Sequence, residues 1–201
     1  MKLTSAVNIL SGYTARSRLE PVEFGGIPVI QLRDLAATGR VEGSQLMHVP
    51  LNDIQDQHLV HPGDVLFRSR GDRNTATVVS EDLPRSAVAV LPLMILRPKP
   101  DIVSGDYLAW AINHPQTQRF FDSVARGTKL RMVSRASLEQ LELDIPDIET
   151  QRKIVAIDEL AEREQALTVR AAGMRKELTS KILGERAKQI RPAATTERIT
   201  K

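Results

Sequence analysis

Between Leu138 and Leu183 the chain changes character. Leu138-Glu139-Gln140-Leu141-Glu142-Leu143-Asp144-Ile145-Pro146 closes a globular stretch at a proline, and a long helical pattern through Gln151, Ile154, Ile157 and Leu160 follows. A ladder then runs through Ile157, Leu160, Glu164, Leu167, Ala171, Met174, Leu178 and Lys181. Its steps alternate between three and four residues, which is the coiled-coil signature. No proline interrupts it, Gly184 stands where a helix stop is expected, and Pro192 closes off continuation beyond Ile190. From Glu149 to Leu183, at about 1.5 Å per residue, the helix is about 50 Å long. A rod of that length cannot bury its own apolar stripe. It calls for a partner, and places function in assembly and binding rather than in a self-contained active site. The competing reading packs the helix on its own domain.

The fold class expected is α+β: a mixed-sheet recognition domain over residues 1–148, a long C-terminal helix over 149–190 that forms an antiparallel coiled coil, and a disordered polar tail over 191–201. Met1–Ser11 reads as an opening strand and Ser11-Gly12-Tyr13-Thr14 as a turn. Strands are predicted over Ile27–Leu32, Gln45–Val49, Val65–Phe67, Ala76–Val79, Ala87–Leu91 and Leu93–Leu96. His61-Pro62-Gly63-Asp64 is a turn leading into Val65. Tyr107–Asn113 and Thr117–Ala125 read as helical segments interrupted by Pro115, and Ser134–Leu141 as a short helix capped by Ser134 or Ser137. Leu143–Pro146 reads as an edge strand.

Composition removes several function classes. There are no cysteines, so disulfides and thiolate metal sites are excluded. His58 and His61, with Asp56 and Asp64, lie on a turn sequence and have no further ligand pair, so no metal is expected. There is no Walker A, G-x-S-x-G or G-x-G-x-x-G motif, and no cofactor or catalytic residue is expected. Aromatic residues make up 3% of the chain, too few for base stacking along a single strand. No stretch is apolar enough to span a bilayer, so no membrane role is expected and a cytoplasmic location is.

The net charge of +3 is unevenly placed: residues 1–150 hold 16 Lys and Arg against 18 Asp and Glu, and residues 151–201 hold 12 against 7. Within the globular part the positive charge is local. Arg126, Lys129, Arg131 and Arg135 have no acid between them, Arg68, Arg70 and Arg73 are diluted only by Asp72, and Arg16 and Arg18 form a third cluster. Clusters of this kind on loops suit a selective reader of phosphates or bases. In Gly63-Asp64-Val65-Leu66-Phe67-Arg68-Ser69-Arg70-Gly71 a buried strand delivers an arginine- and serine-rich loop. Arginine there offers paired donors to guanine or phosphate, and Ser69 and Asn74 offer shorter hydrogen bonds. An ordinary hairpin with a charged tip is the competing account.

These elements resemble the DNA-specificity subunit of type I restriction–modification systems over about residues 5–185. The resemblance rests on Ser11-Gly12-Tyr13-Thr14, Gly26-Ile27-Pro28-Val29-Ile30, Gly63-Asp64-Val65-Leu66-Phe67, Tyr107-Leu108 with Asn113, Gly127-Thr128, Leu138 through Pro146, and Gln151 with Ile154. It implies one target-recognition domain and one conserved helix, a single set where family members usually carry two. That in turn implies a half-length subunit that acts as a homodimer through its C-terminal helix, or a remnant or regulator. Implied partners are duplex DNA, DNA methyltransferase (modification) subunits and a restriction or translocase subunit where restriction accompanies modification.

The function expected is sequence-specific duplex DNA recognition without catalysis. The DNA contacts expected are Thr14, Arg16, Arg68, Ser69, Arg70, Arg73, Asn74, Lys129 and Arg131. The helix contacts expected are Ile157, Leu160, Glu164, Leu167, Ala171, Met174, Leu178 and Lys181. Two rivals stand beside this reading: a specificity-subunit mimic or coiled-coil adaptor that does not bind DNA, and a nuclease with an unrecognised site.

Overall fold

The computed structural model describes residues 1–35, 40–41, 46–83, 87–125 and 131–189. The chain divides into two compact units, Met1–Val155 and Ala156–Lys201.

The first unit is built on a mixed sheet. Among the described residues its five strands lie in the order β1 (Val7–Ser11), β9 (Leu93–Pro98), β5 (Val65–Arg68), β7 (Ala76–Val79) and β3 (Arg40–Val41). All pairs are antiparallel except β7 with β3. Successive side chains on a strand point to opposite faces, and this sheet is covered on both. Val65 and Phe67 of β5, with Leu96 of β9 and Val78 of β7, enter one core with Leu108, Ile112 and Phe121. Leu66, Ile95 and Val79 enter a second with Ile30, Val60 and Ala89. The first core is roofed by α2 (Gly105–Asn113) and α3 (Pro115–Val124). Under the second lies a three-stranded sheet of β4 (Met47–Val49), β2 (Ile27–Ile30) and β8 (Val88–Ala89). The run Val65-Leu66-Phe67 is therefore continuously apolar, because both faces are buried.

Two polar devices hold this frame. Asp64, 2% exposed, closes the turn by accepting from the His61 N–H at 2.9 Å, and takes Arg97 Nε at 3.0 Å and Nη2 at 2.9 Å. The paired fork satisfies a carboxylate that burial would otherwise penalise. At the edge of β7, β3 pairs only with Val78 and Val79. The Asn113 side-chain amide takes the place of a strand beside Ala76, accepting its N–H at 2.9 Å and donating to its carbonyl at 2.8 Å.

Several sequence expectations are corrected. The opening segment is not all strand: Leu3–Ala6 is a helical turn, α1, because Leu3 and Ala6 both enter the core at a spacing of three, which a strand would send to opposite faces. Ser11–Thr14 is not a turn but an extended run. Gly12 donates to Leu93 and Tyr13 to Ala89, and a Cβ on Gly12 would sit 2.7 Å from the Leu93 carbonyl oxygen. Pro115 does not merely interrupt the helices; it occupies the first turn of α3, where its missing N–H costs nothing. The predicted strand over Leu143–Pro146 is absent. One bridge, Lys2 with Glu142, lies just before that segment, and Leu143 donates to the Met1 carbonyl, since α1 turns away before a ladder forms. Ser134 caps α4 (Arg135–Glu139) by accepting from the Ser137 N–H.

Helix α5 runs Ile148–Gln189, 42 residues, which is about 63 Å at 1.5 Å per residue. Gly184 does not stop it. Glycine costs a helix about 1 kcal/mol, and Glu185-Arg186-Ala187-Lys188 after it are all good helix formers. Asp147 caps its start, accepting from the Thr150 N–H at 2.9 Å and its hydroxyl at 2.7 Å. Ile154 and Val155 pack on the first core. The segment 191–201, expected to be disordered, lies outside the described residues.

Candidate nucleic-acid interface

Strand register sends the arginine-bearing segments to one end of the five-stranded sheet. Ser11 lies opposite Met94, Leu93 opposite Arg68, and Phe67 opposite Ala76. The segments leaving β1, leaving β5 and entering β7 and β9 therefore all emerge together. Leu91-Pro92 binds them: the Leu91 N–H donates to the Tyr13 carbonyl at 3.0 Å, and the Ser69 N–H to the Pro92 carbonyl at 3.2 Å.

A second join was not visible in the sequence. Arg70–Gly71, β6, pairs antiparallel with Arg131–Met132, β10, with Arg131 opposite Gly71 and Met132 opposite Arg70. The Val133 N–H continues the pairing to the Ser69 carbonyl at 2.9 Å. The Arg68 cluster and the Arg131 cluster, about sixty residues apart, thus become one two-stranded ribbon. Gly71 has φ of +151°, a conformation that a side chain rarely adopts. An exposed methionine, Met132, stands beside Arg70 on this ribbon.

The candidate residues divide into two kinds. Arg70 and Arg73 are exposed and make no ion pair among the described residues. Thr14 and Arg16 are exposed as well. Both help line a concavity with Arg18, Leu51, Asn52 and His58, its wall fixed by the Tyr13 hydroxyl donating to the Asn52 carbonyl at 3.0 Å. Arg131 is half-buried, 2.7 Å from Asp122. Arg68 is largely spent on the frame: its Nη2 donates to the Leu32 carbonyl at 3.1 Å, Nη1 lies 3.6 Å from Asp72, and Nε is buried without a protein partner.

Ser69 and Asn74 are buried, and both serve the loop itself. The Ser69 hydroxyl donates to the Pro92 carbonyl at 2.5 Å, and Asn74 Nδ2 donates to the Arg68 carbonyl at 3.0 Å. Their expected outward hydrogen bonds are thus replaced by inward ones. Lys129 lies outside the described residues. Of the residues weighed as metal ligands, His58 Nδ1 accepts from the Gln55 N–H and Asp64 holds Arg97.

In the second unit the ladder is exposed. Ile157, Leu160, Leu167, Met174 and Leu178 are 56–67% exposed, with Ala171 half-buried on the helix. Glu164 and Lys181 are exposed, and Lys181 lies 2.8 Å from Glu177 on its own helix. Ile182, also exposed and four residues beyond Leu178, widens the stripe, whereas exposed Leu183 lies on the other side of the helix. Among the described residues no helix is long and apolar enough to cross a membrane.

No protein-family model matches the chain. Over 128 residues it is 27% identical to the type I restriction enzyme HindI specificity subunit of Haemophilus influenzae, covering 60% of this chain and 28% of that protein. The HsdS subunit of Thermoanaerobacter tengcongensis superposes with a TM-score of 0.63 at 20% identity, over 85% of this chain and 39% of that one. A chain from a structure on the assembly and conformational transition of the type I restriction–modification system gives 0.66 at 21%, over 89% and 42%. The S subunit of M. genitalium gives 0.55 at 12%, over 81% and 38%. The chain spans less than half the length of each of these proteins. A mixed-sheet domain followed by a long helix is the fold over which the chain superposes on these structures, and in sequence the chain is similar to a specificity subunit of a type I restriction enzyme.

Proposed function

We propose that the chain recognises a specific duplex DNA sequence and positions DNA methyltransferase subunits on it, and a restriction or translocase subunit where restriction accompanies modification. The chain performs no covalent chemistry itself. The observation that carries this reading is the β6–β10 ribbon, which merges two arginine clusters at the end of the sheet where the Thr14–Arg18 segment also emerges. A two-stranded ribbon fits the major groove, and arginine there pairs with guanine O6 and N7. Arg70, Arg73, Arg16 and Thr14 are the outward contacts. Arg131 supports the same surface, Arg68 positions the loop, and Ser69 and Asn74 hold it in shape; Lys129, two residues before Arg131 in the sequence, is a further proposed contact. The recognition domain is residues 1–148 and the helix 149–190 is the assembly element.

The helix ladder supports a homodimer. In an antiparallel pair about a two-fold axis, positions that sum to a constant face each other. Setting Glu164 against Lys181 puts the axis between Ala172 and Gly173, where small residues let helices approach. The same register sets Leu167 against Leu178 and Ala171 against Met174. The apolar match is confined to this central block, since Leu160 and Ile157 then face Glu185 and Lys188.

Selection of bound duplexes from a random pool tests the reading, using the chain alone and the chain with a modification subunit. Enrichment of one motif is expected in at least the second arm. No enrichment in either, with the subunit still bound to the chain, would make it an adaptor instead.

A further inference from the structure

Away from the arginine loops, α2 and α3 form one wall of a second concavity. Tyr107 and Trp110 of α2 and His114 just after it stand in a row, with ring centroids 5.3 and 5.2 Å apart, and Phe120 of α3 adds a fourth ring. Gln140–Asp144 lines the same concavity, with Glu142 and Asp144 among its residues. Both carboxylates are exposed, and neither is in an ion pair among the described residues. The Tyr107 phenol, whose hydroxyl donates to the Asp144 carbonyl at 2.5 Å, is pushed up first by burial and then by the Asp144 charge.

Aromatic rings and free carboxylates lining one concavity are the chemistry that recognises a cation. Guanidinium fits both: it stacks flat on indole and forks onto carboxylates, whereas ammonium is a compact, strongly hydrated point charge. The same carboxylates repel phosphate, so nucleic acid does not suit this site. The mouth is open and rimmed by exposed His114, Gln116 and Gln140, as suits a side chain delivered from a neighbouring surface. We propose that this concavity is a docking socket for an arginine side chain presented by a partner polypeptide. It stands independently of the DNA-recognition reading.

Trp110 is the chain's single tryptophan, so its fluorescence reports on the socket directly. The full chain is titrated at constant ionic strength with blocked Gly-Arg-Gly and with its lysine and citrulline counterparts. The arginine peptide should give a saturable change with a Kd of about 1–10 mM, the scale of one cation–aromatic contact plus an ion pair. The citrulline and lysine peptides should bind at least about tenfold more weakly. The variant E142Q/D144N, with circular dichroism matching the parent, should lose the arginine response. No response to the arginine peptide, an equal response to citrulline or lysine, or an undiminished response in E142Q/D144N would overturn the proposal.

Discussion

Gln151 joins three backbone groups at the start of α5. Fully buried, it accepts from the Ser104 N–H at 2.9 Å and donates to the Ile102 and Pro146 carbonyls, each at 2.8 Å. Gln151→Leu keeps the bulk and strands all three partners. A stability loss of about 2–4 kcal/mol is expected in urea denaturation, since each buried group left unpaired costs about 1–3 kcal/mol and the site relaxes in part. A loss under about 0.5 kcal/mol, the range of surface changes, would show the network to be dispensable. Asp147 gives a pH-dependent counterpart. Hydrogen bonds from Thr150, backbone first and then hydroxyl, hold its carboxyl below the ordinary 3.8. A depressed folded pKa means that the stabilisation is complete above 3.8 and is lost as pH falls through the lower folded value. Asparagine caps a helix as well as aspartate does, so Asp147→Asn keeps an acceptor for the Thr150 N–H while removing the charge and the second oxygen that accepts from the Thr150 hydroxyl. The parent should be the more stable at neutral pH, and the gap should close in acid. A gap that persisted unchanged through that range would reject the capping charge as its source.

Among the elements, those set by local chemistry were legible and those set by distant pairing were not. Short β-branched and apolar runs bounded by turn residues gave β2, β5 and β7, and Ser134 gave the start of α4, because each signal lies within the element. The β6–β10 ribbon is two residues on each side, too short for any periodicity, and exists through pairing across the chain. Ser69 and Asn74 were read as outward donors because their burial comes from Pro92 and Arg68, a relation that no spacing reveals. The ladder on α5 was legible because its three-four spacing lies within one element, and an interface is the proposed reason for it. If that interface is the two-fold pair described above, Lys181→Glu places like charges opposite Glu164 twice per dimer. The dimer Kd should rise roughly tenfold in sedimentation equilibrium, and adding Glu164→Lys should restore part of it. A chain that stays monomeric at tens of micromolar would reject the pairing.

For the whole molecule, the proposed division of work has Met1–Val155 read DNA and the helix of Ala156–Lys201 set the distance between two readers. A two-fold dimer presents two identical recognition domains, so its target should be an interrupted palindrome whose spacer is set by the helix. An asymmetric bipartite target, selected by this chain without another recognition domain, would contradict that symmetry. The arginine ribbon is the proposed reader of sequence. Its most direct measurement is the affinity of the parent and of Arg70→Ala for the selected duplex and for a scrambled one, across a range of salt. The account predicts a loss of about 1–3 kcal/mol on the selected duplex and much less on the scrambled one, as for a paired base contact. Equal losses on both duplexes, with the salt slope falling by about 0.9, would reduce Arg70 to a phosphate contact. Unchanged affinity for both duplexes, in Arg70→Ala and in Arg70→Ala/Arg73→Ala, would remove the ribbon from the interface and contradict the account.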